Sequence, residues 1–195
     1  MRSERAATVL RYTGLAFAGL FAGFLVTVLV LELSLRRFDG SVYTQVRQVE
    51  LLRLDDLASA TLLPALLTTA ILAATALKAR GRTFWLTSTA FALLLTVLVT
   101  TLAFNLPINA DQFDWNAQAP PADWTSVRDR WQIAHAVRTA AAVLAFVLLN
   151  AAAAGTTRTP VPDGASALTS RPSPQLDDGF RTAGRETHSR TRARR

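Results

Sequence analysis

Four long apolar runs dominate the chain, and they restrict it to one kind of fold. They cover residues 13–33, 57–79, 83–104 and 133–154. Each run is close to the ~20 residues that an α-helix needs to cross a bilayer. Backbone polar groups find no water inside a bilayer, so a helix, which bonds its own backbone, is the economical solution. We therefore predict an all-α fold, an integral membrane four-helix bundle over residues 1–155.

The first run also has some features of a secretory signal peptide, because Arg2, Arg5 and Arg11 precede it. Its apolar part is longer than the ~7–15 residues of a signal core, and the small-residue triplet Ala16-Phe17-Ala18 comes before most of it. We interpret it as an uncleaved first helix. Its Gly19-Leu20-Phe21-Ala22-Gly23 pattern predicts close packing of another helix, within the bundle or in a homodimer.

Residues 156–195 differ in composition from the rest and predict a disordered, Arg-rich tail. They are rich in Pro, Ser, Thr and Gly, and they carry eight Arg against four acids. With so few apolar side chains they cannot bury enough surface to become ordered. The dense arginines at the end of the tail should attract anionic membrane lipid. We expect no nucleic-acid partner, because no interleaved aromatic residues or folded motif accompany the charge.

The charges between the runs predict the orientation. The N-terminal segment, the connection holding Lys78, Arg80 and Arg82, and the tail are all net basic, whereas the two longer loops are balanced or acidic. The positive-inside rule then places both termini in the cytoplasm and both longer loops outside. We expect a multi-pass protein of the plasma membrane. The single Lys among so many Arg is typical of a GC-rich bacterial genome.

A stripe of polar and aromatic residues leads into the fourth run. Trp124, Arg128, Trp131, His135 and Arg138 recur at steps of four and three residues, so they share one helix face. An arginine at a helix centre in the membrane costs about 2.5–3.5 kcal/mol, and one that is retained usually faces a polar partner. The stripe should therefore face the interior of the bundle.

Several polar residues could lie opposite this stripe in the outer leaflet. Asn105 and Asn109 flank Pro107, where we expect the third helix to break. Glu32, near the end of the first helix, and Glu50, in the first outer loop, are acids that could neutralise Arg138. We predict that these residues converge on one pocket near the outer surface.

Simpler interpretations exist for each of these residues. The tryptophans could be interfacial belt residues, His135 could be a structural hydrogen-bonding group, and Glu50 could be a solvated loop charge. Arg138 could be a clamp that ties the fourth helix to Glu32 or Asn105. Glu32, Glu50 and His135 could supply three metal ligands, but their spacing matches no metal motif, and the chain has no cysteine. We expect no metal.

The residues from 105 to 138 carry a family resemblance. Asn105-Leu106-Pro107-Ile108-Asn109, then Trp124, then Arg130-Trp131 and His135-x-x-Arg138 before a final Ala/Val/Leu helix resemble the anthrone oxygenase-like family of small four-helix membrane proteins. The resemblance extends over about residues 12–152 and is most specific in 105–138. It implies oxidation of anthrones, which are tricyclic polyketides, to anthraquinones without metal or flavin, hence no cofactor.

The resemblance also suggests roles for the residues. An anthrone methylene is acidic because its carbanion delocalises into the carbonyl, so His135 suits the role of base and Arg138 that of oxyanion clamp. The tryptophans would stack on the flat substrate, and the asparagines would bond its phenols. The predicted substrate-binding residues are Asn105, Asn109, Trp124, Trp131, Glu32 and Glu50.

The expected partners are a small apolar aromatic substrate, oxygen and membrane lipid, with a homo-oligomer as a further option. A different class of function also accommodates these residues. In a non-enzymatic membrane protein, an assembly partner or small carrier, the same polar cluster would be structural. A catalyst needs an open cavity beside His135, whereas a structural network would fill that space and pair its polar atoms.

Overall fold

The computed structural model describes residues 2–155, and every regular element within them is a helix. In chain order these are α1 (Arg2–Leu35), α2 (Gly40–Leu51), α3 (Leu54–Ala76), α4 (Arg82–Thr100), a π-helical turn (Thr101–Asn105), α5 (Leu106–Phe113) and α6 (Trp124–Gly155). The all-α prediction is confirmed. The predicted disorder of residues 156–195 lies outside the described residues.

Four helical segments are long and apolar enough to cross a membrane. They run over Glu4–Leu35, Leu54–Ala76, Arg82–Phe113 and Trp124–Gly155. Three of them are longer than the apolar runs, because polar turns at their ends continue the same helices. Helix α3 is shifted instead: it begins three residues before the start of the run at 57–79 and ends three residues before the end of that run.

The centre of the bundle is packed with small and aliphatic side chains. Leu25 of α1, Ala65 of α3, Leu94 of α4 and Ala145 of α6 have no exposed surface and belong to one apolar cluster. Helices in a bilayer gain little from the hydrophobic effect, so close van der Waals packing across such small side chains holds them together.

The glycines of α1 set how closely its neighbours approach. A Cβ at Gly19 would lie 2.9 Å from Cε2 of Phe146 on α6, so a larger residue there would force the Phe146 ring to shift. A Cβ at Gly23 would meet nothing within 4 Å. The predicted packing pattern is therefore confirmed as an intramolecular contact for Gly19, but Gly23 takes no part in it.

The expected helix break at Pro107 is wrong. The chain continues from α4 through the π-helical turn Thr101–Asn105 into α5, so the third membrane segment runs to Phe113. Proline lacks an N–H and its ring crowds the carbonyl four residues earlier. The wider π turn just before it accommodates that mismatch, because its hydrogen bonds join residues five apart.

Helix α2 replaces a segment that we expected to be an outer loop. Asp39 caps its N-terminus, with Asp39 Oδ1 accepting a hydrogen bond of 3.0 Å from the backbone N–H of Val42. One face of α2 is buried and carries Tyr43, Arg47 and Glu50. It lies at the end of the bundle where α1 ends and α3 begins, and where α5 and the first turns of α6 also lie. That end holds the polar side chains.

Candidate functional site

Arg47 of α2 is the centre of a buried polar cluster. Its Nη1 lies 2.6 Å from Glu50 Oε2 and 3.2 Å from Glu32 Oε1. Its Nε donates to Gln112 Oε1 at 3.0 Å, and its Nη2 donates to Asn109 Oδ1 at 2.9 Å. Only 2% of Arg47 is exposed. One guanidinium thus joins α1, α2 and α5.

The partners of the two acids differ from the prediction. We expected Glu32 or Glu50 to neutralise Arg138, but both acids pair with Arg47, and Arg138 makes no ion pair within residues 2–155. Glu50 is also not a solvated loop charge, because it is buried on α2. The sequence prediction missed Arg47, because this residue lies in a segment expected to be an outer loop. The helical spacing of Tyr43, Arg47 and Glu50 was the signal that could have found it.

Helix α6 also holds Glu32. The side-chain amide of Gln132 donates to the carboxylate of Glu32 at 3.0 Å and to its backbone carbonyl at 2.9 Å. Arg36 in turn donates from Nε to Gln132 Oε1 at 2.7 Å. Gln132 is buried and did not figure among the predicted residues. Its contacts fasten the end of α1 to α6.

Arg138 is bonded to His135 rather than to an acid. Its Nε and Nη2 lie 3.0 Å and 2.8 Å from His135 Nδ1, and its Nη1 donates to Thr101 Oγ1 at 3.2 Å. A guanidinium can only donate, so Nδ1 is the acceptor and the imidazole is neutral with its proton on Nε2. That Nε2–H donates to the carbonyl of Leu25 at 3.0 Å. Both ring nitrogens of His135 are therefore occupied.

Trp131 lies between the two arginines. The imidazole of His135 stacks on its ring with centroids 4.7 Å apart, and the guanidinium of Arg47 lies 4.2 Å from the ring centroid. Its indole N–H donates to Asn109 Oδ1 at 2.6 Å. Trp131 is thus already stacked within the protein, so in this arrangement no flat substrate can lie on its ring.

The two predicted asparagines lie beside Trp131. The amide nitrogen of Asn109 donates to both carboxylate oxygens of Asp55, at 3.2 Å and 3.1 Å. Asn105 is fully buried, and its amide nitrogen is 3.4 Å from the backbone carbonyl of Trp131. Asn105 Oδ1 has no hydrogen-bond partner among the described residues. Asn109 belongs to the cluster, and Asn105 borders it.

Trp124 lies apart from the other predicted residues. Its ring packs on Tyr43 with centroids 5.5 Å apart, and the guanidinium of Arg128 lies 5.0 Å from its centroid. A Cβ at Gly40 would lie 2.9 Å from the Trp124 Nε1, so a larger residue there would force the Trp124 ring to shift. The predicted stripe on α6 therefore divides into two parts. Trp124 packs against Tyr43 at the start of α6, and Trp131, His135 and Arg138 lie farther along the helix in the polar cluster.

A small cavity lies within the polar cluster, and we call it the inner cavity. Its volume is about 20 Å³. A void of this size has room for about one water molecule. The polar side chains that line it are Arg47, Glu50, Asp55, Asn109, Trp131 and Arg138.

A second, larger concavity lies on the outside of the bundle, and we call it the lateral groove. Its volume is about 580 Å³, and it lies between α6 and the segment from α4 to α5. Ala103, Phe104, Pro107 and Val137 contribute to its mostly apolar wall, and Arg130 is its charged residue. The volume is within the roughly 300–1,000 Å³ of small-molecule sites.

Burial changes the acidity of Glu50. Loss of solvation raises the pKa of Glu50, the guanidinium of Arg47 lowers it and the carboxylate of Glu32 raises it, and together these effects raise the pKa to about 7. Among the described residues, no three His, Asp or Glu side chains are grouped so that they could hold a metal ion. The ionisable side chains of the cluster can take part in acid–base and electrostatic chemistry.

These features define a class: a multi-pass membrane protein with four spanning helices and a buried Arg/Glu/His/Trp cluster at one end. Residues 54–148 match the family model described as anthrone oxygenase. This match supports an assignment of the chain to the anthrone oxygenase-like family. The match includes Asn109, Trp131, His135 and Arg138, whereas Glu32, Arg47 and Glu50 precede it. Comparison with curated proteins and with solved structures returned no match.

Proposed function

We propose that this protein oxidises an anthrone-like or phenolic aromatic polyketide with molecular oxygen, without metal or flavin. The observation that supports it is the pair of guanidinium groups, Arg47 and Arg138, that line the inner cavity. An anthrone becomes an anion when it loses its methylene proton, and preorganised cations in a water-poor site stabilise such an anion. The family match supports the same substrate class.

The reaction needs no redox group from the protein. A base removes one methylene proton, and the resulting carbanion adds oxygen to form a peroxide, which is protonated. Loss of the second C–H proton and cleavage of the O–O bond then give the quinone carbonyl and release water. Oxygen is the oxidant, so one molecule of oxygen is consumed for each quinone formed.

Arg138 keeps donors free for the substrate anion. A guanidinium has five N–H groups, and Arg138 uses three of them on His135 and Thr101. The two that remain can bond the developing oxyanion. In this role His135 is a positioning residue, because its Nδ1 holds the guanidinium in place.

Substrate access requires movement, because the inner cavity holds only about one water. Helix α2 carries Arg47 and Glu50 into the cavity wall, and outward displacement of α2 would widen it. The lateral groove gives an apolar tricycle a first docking place as it arrives from the lipid. There Arg130 would face the phenolic edge of the substrate.

The proposal is tested by oxygen uptake in lipid vesicles containing the purified protein, with a panel of anthrones and related phenols. Anthrones autoxidise, so protein-free vesicles and vesicles with an Arg138→Met variant give the background. We expect stoichiometric oxygen uptake and quinone formation that survive dialysis against a chelator. A rate equal to that of protein-free vesicles for the whole panel would exclude the function.

One observation favours a second candidate, a non-enzymatic structural or carrier role. The inner cavity is small, and Arg47, His135 and Trp131 are already bonded within the protein. In that case the wild type binds no flat phenolic ligand, and substitutions in the cluster change stability alone. Ligand binding measured by quenching of tryptophan fluorescence separates the two candidates.

We further propose that the protein lies in the plasma membrane with both termini in the cytoplasm. The basic segments at 1–11, 78–82 and 156–195 support this orientation through the positive-inside rule. The polar cluster would then face the outer leaflet. Lipid is the expected surrounding partner, self-association is a further option, and no nucleic-acid partner is proposed.

A further inference from the structure

We infer that Glu50, rather than His135, is the base that removes the methylene proton of the substrate. This inference rests on the oxidase function proposed above and names a further catalytic residue for it. Glu50 lies before the segment that matches the family model, on a helix that was not apparent as such in the sequence.

The two carboxylate oxygens of Glu50 have different surroundings. Oε2 is held by Arg47 Nη1 at 2.6 Å. Oε1 is buried and has no hydrogen-bond partner among the described residues, and the side chain lines the inner cavity. A buried polar atom is normally paired, because leaving it unpaired is unfavourable. Here the unpaired oxygen keeps a lone pair for an incoming proton.

His135 lacks such a free position. Its Nδ1 accepts hydrogen bonds from Arg138, and its Nε2 already carries the proton that it donates to Leu25. A proton on Nδ1 would have to displace the guanidinium and would create a second cation beside it. Nor does His135 line the inner cavity. Its contacts suit it to orient Arg138.

The charged groups around Glu50 allow it to change protonation state. Glu32 faces it from α1, Asp55 from α3, and Arg138 lines the same cavity from α6, while Arg47 and Tyr43 share its own helix. The α5 neighbours of Arg47, Asn109 and Gln112, are neutral. Burial sets the pKa of Glu50 at about 7. A group with this value is both an effective base and an effective acid near neutral pH.

The proton transfers balance with Glu50 as the only shuttle. Its carboxylate takes the first methylene proton, and oxygen adds to the carbanion. The carboxylic acid then returns that proton to the peroxide anion. Glu50 next takes the second C–H proton as the O–O bond breaks, and the released hydroxide takes that proton and leaves as water.

The assignment is tested with Glu50→Gln, Glu50→Asp and the matched control Asp56→Asn in lipid vesicles. Asp56 is an acid of the next helix whose side chain is 80% exposed. We expect Glu50→Gln to bind a flat phenolic ligand but lose on the order of 10²–10⁴-fold in oxygen-dependent turnover. Glu50→Asp should keep part of the turnover, with the acidic limb of its pH–rate profile displaced. Asp56→Asn should match the wild type.

A readout independent of turnover comes from infrared difference spectra recorded across pH 5 to 9. The band of a protonated carboxyl group should disappear near pH 7 in the wild type and be absent throughout in Glu50→Gln.

The outcomes distinguish this assignment from the function on which it rests. A wild type that is inactive on every anthrone removes the function and the assignment together. An active wild type for which Glu50→Gln keeps full turnover and an unchanged pH profile removes the assignment alone. If Glu50→Gln does not fold, Glu50→Asp decides. The assignment alone is removed if Glu50→Asp is active and the acidic limb of its pH–rate profile is the same as in the wild type.

Discussion

Arg138 gives two of its hydrogen bonds to a single atom of His135, the ring nitrogen Nδ1. The opposite ring nitrogen of His135 donates to the carbonyl of Leu25 on α1. Arg138 also donates to Thr101 in the π-helical turn. These bonds link three of the four membrane-spanning segments through the His135–Arg138 pair.

We expect Arg138→Met to lower the free energy of unfolding in detergent by about 1–3 kcal/mol. The substitution leaves His135 Nδ1, a buried acceptor, without a partner. Arg130→Met is the matched control, because Arg130 lies exposed at the lateral groove on the same helix. Equal denaturation midpoints for the two variants would contradict a structural contribution of the Arg138–His135 pair.

Arg47→Met should be more damaging, by about 3–5 kcal/mol. It leaves Glu32 and Glu50 buried without their shared cation, and an uncompensated buried charge is strongly unfavourable. Arg53→Met is the control, since the Arg53 side chain is 89% exposed. Adding Glu32→Gln to Arg47→Met should recover part of the loss. A double variant as unstable as the single one would mean that the damage comes from lost packing.

Part of this arrangement could be predicted from the sequence. The spacing of Trp131, His135 and Arg138 on one face of α6, and the need to bury Arg138, follow from helix geometry and from the absence of water in a bilayer. The choice of counter-ion does not follow, because it depends on which side chain reaches the acids in three dimensions. The sequence suggested Arg138 as the partner of Glu32, and only the position of α2 shows that Arg47 takes this place.

The same limit applies to the backbone near Pro107. A proline in an apolar run predicts some departure from α-helix, but a break and a π turn relieve the same steric conflict. In the structure the chain stays helical there, and the amide nitrogen of Asn105 lies 3.4 Å from the backbone carbonyl of Trp131 on α6. Long-range packing of this kind is not encoded in a local pattern.

Glu50 should make stability depend on pH in a specific window. The pKa of Glu50 rises from an ordinary 4.5 to about 7 on folding, so the folded state holds the proton more tightly. Its contribution is therefore fully present below pH 4.5 and is lost as pH rises to 7, at about 1.4 kcal/mol per unit of pKa shift. Thermal midpoints from pH 4 to 8 should fall less in Glu50→Gln than in the wild type. Parallel curves would exclude this role.

Filling the lateral groove should impair substrate capture without affecting chemistry. Ala103→Trp places a large ring among the exposed groove residues and leaves the polar cluster intact. We expect KM for an anthrone to rise several-fold with kcat nearly unchanged. Leu95→Trp, at an exposed site on α4 outside the groove, is the control. A fall in kcat alone would argue against docking in the groove.

The proposed topology is tested with single cysteines, because the natural chain has none. Asn116, exposed between α5 and α6, should react as cysteine with an impermeant thiol reagent in intact cells. A cysteine in place of Ser173 should react only after the cells are lysed. The opposite labelling pattern would invert the orientation.

The position of Arg47 so soon after α1 has a consequence for biogenesis. Ribosomes release the chain from the N-terminus, so Glu32 enters the membrane before α3 to α6 exist. Arg47 contacts Glu32 in the folded protein and is synthesised soon after it. Gln132, which also contacts Glu32, is synthesised only with the last helix. The translocation machinery therefore releases Glu32 into the membrane at about the time that Arg47, its neutralising cation, is synthesised. Glu32 can therefore be paired with Arg47 while the rest of the bundle is synthesised.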